Sequence, residues 1–246
     1  MFLLECARQV ETYVSHIILG IPLESKFILK SWQVTSNAIH YIKSKIESLT
    51  ADVFIDWPSN KKNRSNVFTT IFQVENEPIA YVRIVVGYAS NESYKLLREK
   101  KYSSKTILPQ LILAPAGQVG YSDDLNVSIA SVNCTQDSFI CAFVLREKNQ
   151  SYNDHPQDHI TGINLTEAAK QTCYLYESTI KNIRCDRLTT ELISGYFFNY
   201  VENSACCYLK IDFKESDVIN DLFIIDIVQD NKVVAKITLK LARMYD

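Results

Sequence analysis

The stretch Asp158-His159-Ile160-Thr161-Gly162-Ile163-Asn164-Leu165-Thr166-Glu167-Ala168-Ala169-Lys170-Gln171 decides how this chain reads. It passes from a polar loop, residues 151–162, into a helix expected over residues 163–179. Leu165, Ala168, Ala169, Cys173, Tyr174 and Leu175 make that helix apolar over much of its surface, as in a helix buried on several sides. Glu167 is out of place there. A carboxylate within such a helix has to be paired, protonated or open to a cavity.

Part of the stretch recurs near the start of the chain. Leu3-Leu4-Glu5-Cys6-Ala7-Arg8-Gln9 lies over Leu165-Thr166-Glu167-Ala168-Ala169-Lys170-Gln171 at an offset of 162, with the shared pattern L-x-E-x-A-[KR]-Q. Leu3, Leu4, Ala7, Val10, Val14, Ile17 and Ile18 follow helical spacing, and Gly20-Ile21-Pro22 closes the helix. Strands are expected over 27–34, 51–56, 67–74 and 79–86, the last two joined by the turn Glu75-Asn76-Glu77-Pro78. After the second helix come strands near 192–200, 206–213, 222–228 and 233–241, with a turn at Asp230-Asn231. Each half thus reads as one long helix and then about four strands, the mark of an internal duplication. Residues 90–125 read as a connector, with a charged run at 98–101 and a break at Pro115-Ala116-Gly117. A strand at 139–145 precedes the second helix. The expected fold class is α+β: two repeats, each an antiparallel sheet wrapped around a long helix. The expected division is 1–100, a connector 101–125, and 126–246.

Composition narrows the classes. The chain has 246 residues, with 26 basic against 28 acidic side chains and a net charge of −2. No basic field attracts a phosphate backbone, so nucleic acid is not expected as a partner. The apolar runs are too short for a membrane span of about 20 residues. Residues 1–10 lack a basic leader and carry Glu5 and Arg8, so no signal peptide is read there. Seven cysteines without a C-x-x-C pair suggest reduced thiols in a cytoplasmic protein.

At residues 158–171 the chain resembles the D-H-x-x-G-x-x-L-x-E-A-A-R-Q signature of the A-factor biosynthesis (AfsA-like) hotdog family. Leu4-Glu5, Ala7-Arg8-Gln9, Ser15-His16 and Gly20-Ile21-Pro22-Leu23 are similar to that family's first repeat. Pro115-Ala116-Gly117-Gln118-Val119-Gly120, then Asn126-Val127, are similar to its inter-repeat segment. The resemblance implies a double hotdog of γ-butyrolactone or butenolide synthase type. It implies an acyltransferase that moves a β-ketoacyl chain from a carrier thioester to dihydroxyacetone phosphate, followed by aldol-type ring closure. Glu167, Lys170 and Glu5 fall on the family's catalytic candidates. Arg8, His159, Asp158, Gly162 and Gln171 are the associated candidates for binding substrate. The implied partners are an acyl thioester, on acyl carrier protein or CoA, and a phosphorylated triose. No cofactor and no metal are implied, and a homodimer is left open.

Three departures stand out. The family's first repeat has a strand and loop before its helix, whereas this chain begins at the helix, so the first hotdog is expected to lack its opening strand. Lys170 stands for the family's Arg, keeping the charge without the planar two-pronged grip. Tyr121 stands where the connector carries a basic residue.

The residues allow a mechanism and plainer readings. The first helical turn, 163–166, offers free N–H groups to a thioester carbonyl. Glu167 suits a general base, and Lys170 at i+3 suits an acceptor phosphate. Hotdog dehydratases have a similar arrangement, with a helix carboxylate five residues after a Gly, as Glu167 follows Gly162, and a His in the preceding loop, as at His159. The alternatives are a dehydratase or thioesterase, and a non-catalytic module for acyl chains or carrier proteins. Glu167 and Lys170 also read as an ordinary surface ion pair. His159 also reads as a loop residue oriented by Asp158, with Asp154-His155 as a solvated pair. A metal centre from His155, His159 and Asp158 lacks clean ligand spacing. His16 and His40 read as structural. Lys61-Lys62-Asn63-Arg64 reads as a solvated hairpin end, or as a contact for an acidic carrier protein.

Overall fold

A computed structural model describes residues 1–36, 48–56, 65–99, 111–151, 153, 157–217 and 219–244. His40, residues 61–64 and the pair Asp154-His155 lie outside the described residues. The chain forms two compact units, residues 1–103 and 104–246.

The first unit begins with α1, Phe2–Ile17. One face is buried, through Leu4, Ala7, Glu11, Val14 and Ser15. Four strands follow: β1 Lys26–Ser36, β2 Thr50–Asp56, β3 Ser65–Val74 and β4 Glu77–Ala89. They are antiparallel in the order β2-β3-β4-β1. α1 lies against β3 and β4, where Val14, Phe68 and Val86 form a core ringed by Val10, Leu19, Phe27, Val53, Ile55 and Tyr88. Gly20, at φ +67°, supplies the left-handed residue beyond the helix end. Glu75 and Asn76, both at positive φ, make the two-residue hairpin turn between β3 and β4.

The second unit repeats this plan. Helix α3, Gly162–Ile180, is followed by β7 Leu188–Phe197, β8 Cys207–Ser216, β9 Asn220–Gln229 and β10 Lys232–Arg243. Their order is β7-β10-β9-β8, the same connectivity as β1-β4-β3-β2. Asp230 and Asn231, again at positive φ, turn the last hairpin. This unit adds a hairpin before its helix, β5 Ile129–Cys134 and β6 Phe139–Phe143, which extends the sheet from β8. Each unit is a hotdog, and the chain is a double hotdog.

α3 is the more enclosed helix. It packs against β5, β6, β8, β9 and β10. Leu165, Leu175, Phe223, Ile225, Ile227, Ile237, Leu239 and Leu241 are fully buried around it. Each such side chain is worth about 1.5–3 kcal/mol as an upper estimate. Thr161 caps its first turn, accepting from Asn164 N–H. At the other end Lys181 pairs with Glu177 at 3.1 Å and with Asp221, which Arg243 also holds at 2.8 Å.

The structure departs from the expected elements in two places. Residues 91–99 form a helix, α2, at the head of what reads as a connector. Ser90 caps it, its Oγ accepting from Ser93 N–H at 3.2 Å. β5 was not anticipated, because only Ile129 and Ala130 of its six residues are fully buried, followed by an exposed stretch at 131–133. All seven cysteines are free thiols, with Cys141, Cys173 and Cys207 buried. Among the described residues no helix is long and apolar enough to cross a membrane.

Candidate functional site

Glu167 stands on the second turn of α3 and has no exposed surface. The reading as a surface ion pair therefore gives way: the pair is built into the interior. Three groups surround the carboxylate. The Tyr121 hydroxyl donates to Oε1 at 2.7 Å. Gln171 Nε2 donates to the same oxygen at 3.0 Å. The Lys170 ammonium lies 2.9 Å from Oε2 as an ion pair. Burial of an ionised carboxylate is costly unless charge and donors compensate it, and here both are present.

Each partner is itself held. Lys170 is 16% exposed, lies 3.4 Å from the Tyr121 hydroxyl, and sits over the rings of Tyr121 and Tyr174 at 5.4 and 5.8 Å. Burial pushes the Tyr174 phenol above its ordinary range, so it stays protonated. Gln171, fully buried, accepts from Ser128 N–H at 2.8 Å and donates to Asn126 C=O at 2.8 Å. Both amide ends are thus fixed by backbone, and its remaining N–H is aimed at Glu167.

Tyr121 comes from the segment before β5. Residues 115–121 form a compact turn, with Gln118 N–H on Pro115 C=O at 2.9 Å and Tyr121 N–H on Ala116 C=O at 2.9 Å. Cys185 Sγ fastens it by donating to Gln118 C=O at 3.1 Å. Gly120 sits at φ +86°, and a Cβ there would come within 3.0 Å of the Tyr174 ring. The left-handed turn and the close ring both require glycine, and together they carry Tyr121 over α3.

The other sequence candidates lie elsewhere. His159 Nδ1 is 2.7 Å from Asp158 Oδ1, and its ring meets Tyr200 edge-on at 4.9 Å. The loop is pinned by Ile160 N–H on Val201 C=O at 2.8 Å. Gly162 opens α3, and its carbonyl accepts from Thr166 Oγ1 at 2.8 Å. In α1 the Arg8 guanidinium grips Glu5 with two bonds, 2.7 and 2.9 Å, and Gln9 donates to Glu5 at 2.8 Å. The E-x-x-[KR]-Q pairing therefore closes in both helices, with a two-pronged Arg grip in α1 and a single Lys ion pair in α3. The surroundings differ as well: Glu5 and Arg8 are about one-third exposed. The buried carboxyl of α1 is Glu11, which accepts from Ser15 Oγ at 3.0 Å, and Ser15 Oγ is 2.8 Å from the Tyr88 hydroxyl. Burial raises Glu11 to about 7. Neither Glu11 nor the role of Tyr121 was anticipated from sequence; Tyr121 was marked only as a departure at a position where relatives carry a charge. Among the described residues no cluster of three His, Cys, Asp or Glu is placed to hold a metal.

Known proteins resemble this chain in fold and in family. The fold is similar to that of the acyl-CoA thioesterase II TesB2 from Mycobacterium marinum, with TM-score 0.53 and 10% identity, covering 98% of this chain and 91% of that one. It is also similar to a protein of unknown function with a hot dog fold from Alicyclobacillus acidocaldarius, with TM-score 0.51 and 11% identity, covering 89% and 79%. No curated protein matches the chain by sequence. The family model of the A-factor biosynthesis hotdog domain matches residues 1–81 and 103–244. That match takes in both E-x-x-[KR]-Q helices and the segment carrying Tyr121: the chain belongs to the A-factor biosynthesis hotdog family.

Proposed function

We propose that the chain is an acyltransferase that moves a β-ketoacyl group from a carrier or CoA thioester to the hydroxyl of a dihydroxyacetone-phosphate-type acceptor. One observation carries the reading: a fully buried helix carboxylate, Glu167, ringed by Tyr121, Lys170 and Gln171 in a family of A-factor biosynthesis. Acyl transfer to a hydroxyl needs a base for the acceptor proton and donors for the developing oxyanion. Glu167 is the base of this scheme. The first turn of α3 supplies N–H groups for the thioester carbonyl, although Asn164 N–H is already engaged by Thr161. Lys170 supplies a positive charge beside Glu167 and draws an anionic acceptor to the site. His159 and Asp158 belong to the loop before α3, where an approaching carrier arm would pass. Glu5 and Arg8 have no step in the scheme, being paired on the outer part of α1. The protein works in the cytoplasm in this reading.

Thioester hydrolysis is the second reading, favoured by the similarity to a solved acyl-CoA thioesterase. It uses the same base on water. The test is mass spectrometry of the protein incubated with a β-ketoacyl carrier-protein thioester and dihydroxyacetone phosphate. A phosphorylated ester or butenolide is expected, lost in Glu167→Gln with an unchanged circular-dichroism spectrum. Free acid alone would favour the thioesterase, and an untouched thioester would refute both.

A further inference from the structure

We propose that Tyr121 is the catalytic residue that contacts the acceptor and passes its proton to Glu167; this rests on the acyl-transfer reading above. The argument begins with access. Glu167 has no exposed surface, so no ligand reaches its oxygens in this arrangement. A proton therefore enters or leaves through a neighbour. Gln171 is fully buried and committed to Ser128, Asn126 and Glu167. An ammonium such as Lys170 donates but has no lone pair with which to receive. A phenol does both, and Tyr121 is only half-buried while its hydroxyl is already 2.7 Å from Oε1. Lys170, 3.4 Å from that hydroxyl, stabilises negative charge that passes over it.

The step balances without a further reagent. As the acceptor oxygen bonds to the thioester carbonyl carbon, its proton moves to Tyr121 Oη and the phenolic proton moves to Glu167 Oε1. The C–S bond breaks, and the leaving thiolate takes a proton back from Glu167 through Tyr121. Tyr121 and Glu167 end as they began.

Tyr121→Phe keeps the ring over Lys170 and removes only the hydroxyl. The expected result is a fall in kcat of about 10²-fold or more, with KM for the thioester within about threefold and an unchanged circular-dichroism spectrum. Acidifying the phenol by incorporating 3-fluorotyrosine at 121 moves the alkaline limb of the pH–rate profile to lower pH, which a merely structural hydroxyl does not do. Ester formation and hydrolysis are both followed, since either nucleophile needs the relay. If Tyr121→Phe keeps turnover within threefold while Glu167→Gln loses it, the relay is overturned and the acyl-transfer reading survives. A wild type that consumes no thioester overturns both.

Discussion

Lys170 lies 2.9 Å from Glu167 as an ion pair, and it alone of the two reaches water. Replacing it with Met keeps the apolar stem and deletes the charge. Glu167 is then left buried with two neutral donors and no compensating charge. Lys170→Met should cost about 2–3 kcal/mol, a little below the range for breaking a fully buried pair, because the lost charge is partly solvated. Turnover should fall with it. Urea unfolding monitored by fluorescence reads the first effect; an unchanged midpoint would mean that Glu167 does not depend on this charge. Tyr121→Phe, which removes a hydroxyl, and Glu167→Gln, which exchanges a carboxylate oxygen for an amide nitrogen, belong to the same scale, since each leaves the carbon frame in place.

The turn at 115–121 and helix α3 meet at Gly120, where no side chain is tolerated on two counts. Gly120→Ala adds a Cβ at φ +86° against the Tyr174 ring. The backbone penalty alone is about 1–3 kcal/mol, and the turn must shift to relieve the contact, taking Tyr121 off Glu167. A lowered melting temperature with a parallel loss of turnover is the expected outcome; a variant as stable and active as the parent would show that this turn does not set the site. At this scale the sequence was legible where local rules act alone. Both long helices announced themselves by periodicity and by the Gly20 stop, and both hairpin turns by Asn-containing dipeptides. α2 was hidden because its few apolar residues, Leu96 and Leu97 among them, stay exposed and form no continuous stripe. The pairing within E-x-x-[KR]-Q follows from helical spacing, so it too was readable. That one copy would be buried and the other would face outward was not, because burial is decided by strands distant in sequence. Tyr121 was out of reach for the same reason: it lies 46 residues from Glu167.

At the scale of the molecule, buried carboxyls among the described residues shape how stability responds to pH. Glu11 rises from 4.5 to about 7 and Glu177 to about 6, burial being the main cause in both. Arg8, Thr12, Ser15 and His16 of α1 face Glu11, with Tyr88 of β4 beyond Ser15; Lys181, Asp221 and Arg243 face Glu177. A folded-state pKa above the unfolded value means that the folded chain holds more protons between the two. These contributions are fully present below about 4.5 and are lost as pH rises through 6 for Glu177 and 7 for Glu11. Asp221, depressed by Lys181, Ser216 and Arg243 despite the opposing effect of burial, works the other way: its contribution is present above its ordinary range and is lost in acid. Unfolding free energies from denaturant titrations between pH 4.5 and 7.5 should therefore decline, by on the order of 2–3 kcal/mol for Glu11. Glu11→Gln should flatten the part of that decline nearest pH 7, and an equally steep curve in the variant would remove Glu11 as its source.

The two copies of the E-x-x-[KR]-Q triplet have one more consequence, which concerns mutational drift. At Glu5 the neighbours are partly solvated, so a substitution forfeits a surface pair worth about 0–1 kcal/mol. At Glu167 the same substitution takes from an ammonium, a phenol and a buried amide the acceptor they share. Substitution is therefore costly at the second triplet and cheap at the first, and a site assigned by counting matching letters would weigh equally two glutamates that the fold has made unequal.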